Sequence, residues 1–255
     1  AGGRCLAQCA PGHRRLCADD EACSENGRCV PVGPDGGPAG VCATASVDVA
    51  PIVPTVQLVV DRSGSMRSPF RGGDARRWDA LFDALFGRAD DVARAPGIVR
   101  REQDRVRFGA GLYRSAGDVC PDLRWREPAL FAAEFLRRDF LDYPLGGTTP
   151  TAEAVRAATA RLAGRASGER VVIVLATDGE PDRCEAPGVQ DAAARDAVVE
   201  AVAAAHALGI ETFLLTLADL DGAHVQDVAN AGAGLPAPAP EGGPRAPFWS
   251  PVEVD

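Results

Sequence analysis

The sequence contains no lysine: all 27 basic residues are arginine, and they face 36 acidic residues, so the formal net charge is −9. Without lysine the chain has no phosphate-binding loop of the type whose lysine reaches the nucleotide phosphates. The negative net charge also argues against wrapping nucleic acid, because phosphate binding needs a concentrated positive surface. We therefore expect neither a P-loop nucleotidase nor a nucleic-acid-binding protein.

Aromatic residues are scarce as well, at 5% of the chain, although 46% of the residues are hydrophobic. The core must therefore rest on alanine, valine and leucine. No apolar run approaches the ~20 residues that a membrane-spanning helix needs, so we expect no transmembrane segment. At 255 residues the chain is long enough for one sizeable α/β domain and a small appendage.

Cysteine is concentrated at one end of the chain. Six of the eight cysteines fall within the first 42 positions: Cys5, Cys9, Cys17, Cys23, Cys29 and Cys42. A zinc site is disfavoured because no Cys-x-x-Cys pair occurs and only His13 lies nearby. The pattern predicts a disulfide framework and an extracytoplasmic location, whether secreted, periplasmic or at the cell surface. Six cysteines allow about fifteen pairings, and the sequence does not choose among them.

The composition divides the chain into three parts. Residues 1–42 show little hydrophobic periodicity and need cross-links to fold, which predicts a small cysteine-rich module. Residues 43–54 contain Pro51 and Pro54 and are typical of a linker. Residues 55–255 form the main domain.

Strand-like and helix-like segments alternate in the main domain. Short apolar runs predict strands over 56–60, 106–113, 171–176 and 210–217, with a last edge strand at 247–249. Helical periodicity or capping residues predict helices over 78–86, 131–140, 150–162, 191–208 and 223–231, the third with Thr149 as N-cap. Such alternation predicts an α/β fold with a doubly wound, mainly parallel sheet flanked by helices.

Three polar segments lie at the expected ligand-binding edge of this sheet, beyond the carboxyl ends of strands. The first is Asp61-Arg62-Ser63-Gly64-Ser65, which follows the first strand. The second is the glycine-rich turn that leads to Thr149, and the third is Thr177-Asp178-Gly179. Each motif is weak by itself, but together they predict one site built from oxygen donors.

The three segments resemble the metal-ion-dependent adhesion site of von Willebrand factor type A domains, and the resemblance runs from about Thr55 to Trp249. It implies that Ser63, Ser65 and Thr149 bind a divalent cation through their hydroxyls, and that Asp61 and Asp178 act largely through bound water. Thr148 is the alternative to Thr149. Oxygen donors suit a hard cation such as Mg²⁺, with Mn²⁺ or Ca²⁺ as alternatives. The family's open coordination position would accept a carboxylate from a partner.

Two further expectations come from resemblance. The cysteine spacing of the N-terminal module is loosely similar to that of EGF-like modules. In the main domain, the family's sheet would bring Cys120 and Cys184 close enough to form a disulfide that braces the rim of the metal site. The alternative is two unpaired buried thiols.

Enzyme functions are less well supported. The chain has no Gly-x-Ser-x-Gly nucleophile motif, and Gly109-Ala110-Gly111 lacks the third glycine of a dinucleotide site. The Asp61 loop is similar to that of haloacid dehalogenase-type phosphatases, but Ser63 stands in place of their second aspartate, which serves as the general acid.

The sequence therefore predicts a bacterial, extracytoplasmic, metal-dependent binding or adhesion module, not an enzyme. It would recruit a protein partner that bears an exposed Asp or Glu. The alternative is a structural component of a cell-envelope assembly, in which the metal mainly stabilises the fold. The oligomeric state is left open.

Overall fold

The computed structural model describes residues 17, 21–23, 28–32, 53–87 and 96–250. The chain divides into two compact units, Ala1–Ala50 and Pro51–Asp255. The predicted linker lies almost wholly outside the described residues, so the three-part division of the sequence stays a prediction.

In the smaller unit, strand β1 (Glu21–Cys23) pairs antiparallel with β2 (Cys29–Pro31). A disulfide joins Cys17 to Cys29, and Cys23 is disulfide-bonded too. The predicted disulfide framework is thus present where the structure describes this unit. Cys5, Cys9 and Cys42 lie outside the described residues, and the likeness to EGF-like modules stays a prediction.

The larger unit is built on a five-stranded sheet of order β5-β4-β3-β6-β7. Its strands are β3 (Thr55–Asp61), β4 (Arg107–Ala116), β5 (Val119–Ala129), β6 (Val171–Thr177) and β7 (Ile210–Thr216). Strands β3, β4, β6 and β7 run parallel, and β5 pairs antiparallel with β4. The chain thus starts in the middle of the sheet and winds outward in both directions, which confirms the predicted fold class.

Helices cover both faces of the sheet. They are α1 (Arg77–Phe86), α2 (Ile98–Glu102), α3 (Ala133–Leu141), α4 (Thr151–Ala166), α5 (Ala192–Ala207) and α6 (Gly222–Gly232). Side chains alternate along β3, as the pleat requires. Leu58 and Val60 pack in the core cluster of α1, α2 and α3, whereas Val59 packs in that of α4, α5 and α6. Among the described residues, no helix is long and apolar enough to cross a membrane.

Four details differ from the sequence-based predictions. Strand β5 and the short helix α2 were not predicted. The expected last edge strand is reduced to a single bridge between Leu215 and Trp249. Thr149 is not the N-cap of α4, because the helix begins at Thr151 after Pro150 and has no side-chain cap.

Candidate metal-binding site

The polar segments meet at the carboxyl edge of the sheet because β3 and β6 are parallel neighbours. Val60 of β3 lies opposite Ala176 of β6, so the two strands end almost level. Asp61 is the last residue of β3, and Asp178 is the first residue after β6. The sheet itself therefore places the two carboxylates side by side.

A chain of short hydrogen bonds links four of the predicted ligands. The Ser63 amide donates to Asp61 Oδ1 (2.7 Å), and the hydroxyls of Ser63 and Ser65 lie 2.8 Å apart. The Ser65 hydroxyl in turn donates to Asp178 Oδ1 (2.7 Å). Ser65 belongs to a 3-10 helix over Gly64–Arg67, which turns its hydroxyl back toward the sheet. Asp61 and Asp178, which are far apart in sequence, are thereby linked through the Ser63 amide and the hydroxyls of Ser63 and Ser65.

Thr149 borders the same space. It is 5% exposed. A Cβ atom placed on Gly179 would lie 3.3 Å from Thr149 Oγ1 and 3.4 Å from Ser65 Oγ, so both hydroxyls flank one small gap. Thr148, the alternative ligand, has its hydroxyl 2.9 Å from Ser115 Oγ instead. The geometry therefore favours Thr149.

Backbone hydrogen bonds hold the glycine-rich turn against the loop after β3. The amide of Gly64 donates to the carbonyl of Gly147 (3.2 Å), and the amide of Gly146 donates to the carbonyl of Arg62 (3.0 Å). Gly147 has φ +77°, and a Cβ there would come 1.9 Å from Ser115 O. Only glycine fits this approach, which explains Gly147.

Asp61 is fully buried, at 0% exposure. Its Oδ2 accepts a hydrogen bond from Thr177 Oγ1 (3.0 Å). Burial, followed by the negative charge of Asp178, raises the pKa of Asp61 to about 7 despite these hydrogen bonds. A cation bound beside Asp61 would favour the charged form of this carboxyl and would itself be stabilised by that charge.

Arg77 is a site residue that the sequence analysis missed. It is the first residue of α1, and its Nη1 donates to Asp178 Oδ2 (2.8 Å). Asp178 therefore offers one carboxylate oxygen to Ser65 and the other to a guanidinium. The contact spans 101 positions, and no local pattern distinguishes Arg77 from the other arginines.

Arg62, the residue between Asp61 and Ser63, has a structural role. It is 0% exposed, and its guanidinium carbon lies 3.2 Å from the centre of the Tyr143 ring. Its Nη2 donates to Asp122 Oδ2 (2.7 Å) and its Nη1 to the carbonyl of Pro144 (3.0 Å). Arg62 thus points away from the proposed ligands and ties the loop after β3 to β5.

The loop that follows Asp178 is held from several sides. Glu180 accepts from Arg195 (2.8 Å), and Asp182, which is 2% exposed, accepts from the amide of Gly188 (2.6 Å). A disulfide joins Cys184 to Cys120 of β5, so the pairing that the resemblance implied is confirmed. Glu180 and Asp182 thus accept hydrogen bonds from within the protein, and these bonds help to fix the loop.

The donor set fits a hard divalent cation. It consists of hydroxyl and carboxylate oxygens, which Mg²⁺ prefers. In the part of the chain that the structure describes, there is no cluster of three or more His, Cys, Asp or Glu residues of the kind that holds a metal. The proposed site is not such a cluster, because it contains only two carboxylates and takes its other donors from the hydroxyls of Ser and Thr.

No protein-family model matches the sequence, and no curated protein matches it either. Several solved structures are similar to it. The SpaC pilus adhesin from Lactobacillus rhamnosus GG matches with a TM-score of 0.51 at 18% identity, over 73% of this chain and 28% of that one. The PilB minor pilin from Streptococcus sanguinis matches with a TM-score of 0.53 at 13% identity, over 74% of this chain and 56% of that one.

These two likenesses show the fold. At such low identity they carry no residue-level function, and the chain spans well under two thirds of either protein. A manganese-loaded TRAP protein from Plasmodium vivax also matches, with a TM-score of 0.48 at 15% identity, over 79% of this chain and 69% of that one.

Proposed function

We propose that the larger unit is a metal-dependent binding module that recruits a protein partner through a divalent cation and an acidic side chain of that partner. The observation that carries this proposal is the hydrogen-bonded chain Asp61–Ser63–Ser65–Asp178, with Thr149 beside it. Ser63, Ser65 and Thr149 would hold the ion directly, and Asp61 and Asp178 would hold it largely through water.

The charge of the donor set supports recruitment of an acidic partner. Three neutral hydroxyls and two carboxylates that act through water would leave a bound Mg²⁺ strongly electron-poor. When bound, the ion would supply a strong attraction for a carboxylate from outside, and partial removal of water would strengthen that attraction. The chain's own residues keep the donors in place before any ion arrives, which lowers the ordering cost of binding.

Nothing in the arrangement favours catalysis. Ser63 and Ser65 share hydrogen bonds with each other and with Asp178, and neither has a histidine partner within this network that would activate it as a nucleophile. We therefore propose recognition, not turnover, as the role of the site.

The proposed location is outside the cytoplasm, with bacterial origin as part of the same proposal. The disulfides Cys17–Cys29 and Cys120–Cys184 support it, because structural disulfides persist in oxidising compartments. The shared fold with a pilus adhesin and a minor pilin accords with an adhesive role at the cell surface.

The direct test is calorimetric titration of the full chain with MgCl₂, repeated with MnCl₂ and CaCl₂. We expect saturable binding that Asp61→Ala abolishes. Asp79→Ala is the matched control, since Asp79 is an exposed aspartate paired with Arg76 (2.7 Å). Equal Mg²⁺ affinity in the parent and Asp61→Ala proteins would refute the proposed site.

A structural role for the metal is the second candidate, because Ser65, Thr149 and Asp178 come from three separate loops that a bound ion would join. The two roles differ in what EDTA does. For a recruiting module, EDTA abolishes capture of a carboxylate-bearing ligand such as an immobilised Asp-containing peptide, with little change in melting temperature. For a structural metal, EDTA lowers the melting temperature markedly.

A further inference from the structure

The contact between Arg77 and Asp178 places a fixed positive charge against the proposed metal site. Arg77 Nη1 lies 2.8 Å from Asp178 Oδ2 and 3.5 Å from the Asp178 carbonyl oxygen. The Asp178 side chain is fully buried, whereas that of Arg77 is 22% exposed. The other oxygen of Asp178 accepts from Ser65. One carboxylate is therefore shared between the proposed ligand set and a guanidinium.

The start of α1 is fixed, so this contact is built into the fold. The Arg77 amide donates to the carbonyl of Ser68 (3.0 Å), and Pro69 and Arg76 form an antiparallel bridge that closes the loop between the metal site and the helix. Trp78, next in sequence, is 6% exposed and stacks on Phe140 with ring centres 5.2 Å apart. Packing on both sides of Arg77 thus aims its side chain at Asp178.

The electrostatic consequence has two parts. With no ion bound, Arg77 neutralises a buried carboxylate that would otherwise destabilise the fold. With an ion bound, the guanidinium would repel the ion and would compete with it for the negative charge of Asp178.

We propose that Arg77 is a built-in competitor for Asp178 that weakens divalent-cation binding and stabilises the metal-free protein. The inference rests on the proposed function, because it concerns the same site. Arg77 would not be a ligand of the ion, but its charge would set how tightly the site holds the ion.

Calorimetric titration with MgCl₂ tests the inference on the full chain. We expect Arg77→Gln to bind Mg²⁺ about tenfold more tightly than the parent, the size expected when a unit charge several ångström from a divalent ion is removed. Arg77→Lys, which keeps the charge, should bind like the parent. Arg76→Gln is the matched control, because Arg76 is the adjacent arginine but pairs with exposed Asp79 (2.7 Å).

Thermal unfolding supplies a second readout, independent of affinity. In EDTA, Arg77→Gln should melt at a lower temperature than the parent, and added Mg²⁺ should restore most of the difference. An equal loss with and without Mg²⁺ would show a merely structural salt bridge and overturn the inference.

The outcomes separate the two proposals. Mg²⁺ binding by the parent with no gain in Arg77→Gln overturns the role of Arg77 alone. Binding by Arg77→Gln but not by the parent supports that role in its strongest form. No binding by either protein overturns the metal site itself and this inference with it.

Discussion

The disulfide between Cys120 and Cys184 ties the edge strand β5 to the loop that leaves Asp178. These residues are 64 positions apart. The amide of Cys184 also donates to Glu153 of α4 (3.0 Å). The rim of the proposed metal site is therefore fastened both to the sheet and to a helix.

Removal of this disulfide should destabilise the larger unit. For a loop of this length the chain-entropy model predicts a loss of about 4 kcal/mol in the free energy of unfolding. We expect Cys120→Ser/Cys184→Ser to show this loss in urea unfolding, together with weaker Mg²⁺ binding. The matched control is Cys17→Ser/Cys29→Ser, which should leave both properties of the larger unit unchanged. Equal effects of the two double variants would contradict this assignment.

Truncation of Arg62 should be costly even though its side chain makes no contact with the proposed ligands in the described hydrogen-bond network. Arg62→Met removes the guanidinium stacked on Tyr143 at 3.2 Å and leaves Asp122 with fewer partners. We expect a loss of about 3 kcal/mol in the free energy of unfolding, as for other broken buried ion pairs. Arg138→Ala, which breaks an exposed pair with Glu134, should cost less than about 0.5 kcal/mol. Chemical denaturation measures both.

Two glycines should respond to alanine in opposite directions. Gly147→Ala forces a side chain into Ser115 at a positive φ, so we expect a loss of at least about 2 kcal/mol in stability and a loss of Mg²⁺ binding. Gly164 lies in α4 with open space around it, and alanine has the higher helix propensity. Gly164→Ala should therefore raise the free energy of unfolding by about 0.5–1 kcal/mol. If both variants shifted the denaturation midpoint in the same direction relative to the parent, this account would be contradicted.

Asp139 should contribute stability that acid removes. Its side chain, 4% exposed, accepts hydrogen bonds from Arg126 and from Arg124 (2.8 Å). Burial raises the pKa of Asp139, but these hydrogen bonds and charges outweigh burial, so its pKa lies below the ordinary value. The charged form therefore stabilises the fold above pH ~4, and this contribution is lost as the pH falls through the folded-state pKa.

The corresponding variant is Asp139→Asn. At pH 7 we expect it to be about 2 kcal/mol less stable than the parent, since its arginine partners are partly exposed to solvent. The difference should shrink steadily between pH 4 and pH 2 in urea unfolding, because the parent loses the same charge. Asp142→Asn, at the exposed C-cap of the same helix, controls for the change in net charge. A difference that stays constant with pH would contradict the prediction.

The sequence was sufficient to predict the strands that are buried on both faces. Strands β3 and β6 form nearly unbroken apolar runs, and their predicted bounds fall within a residue or so of the observed ones. Strand β5 was not predicted because it lies at an edge of the sheet. Arginines alternate there with Leu123 and Trp125, so the segment contains no continuous apolar run. The strand also contains Pro121 and Pro128, which a central strand would exclude but an edge position tolerates.

The candidate site was predictable only in part. The motif at each strand end indicated the residues with oxygen donors, because parallel strands bring those ends to one edge. Arg77 was not predictable, since its partner Asp178 lies 101 positions away and the helix packing that aims it is a tertiary property. The sequence preferred Thr149 to Thr148, and the turn geometry adds that the hydroxyl of Thr148 lies against Ser115.

Both borders of the sheet are poorly suited to accepting an extra strand from another molecule. On one side, Pro121 and Pro128 lack the amide hydrogens that such a strand would need. On the other, the amide of Thr216 donates to the carbonyl of Trp249 (2.8 Å), and the Trp249 amide donates to Leu214 (3.1 Å). Assembly by backbone ladder, the route by which sheets polymerise, is thus discouraged at each end. The proposed attachment to other proteins would then fall to side chains, and a contact made by side chains can be released without unfolding either molecule.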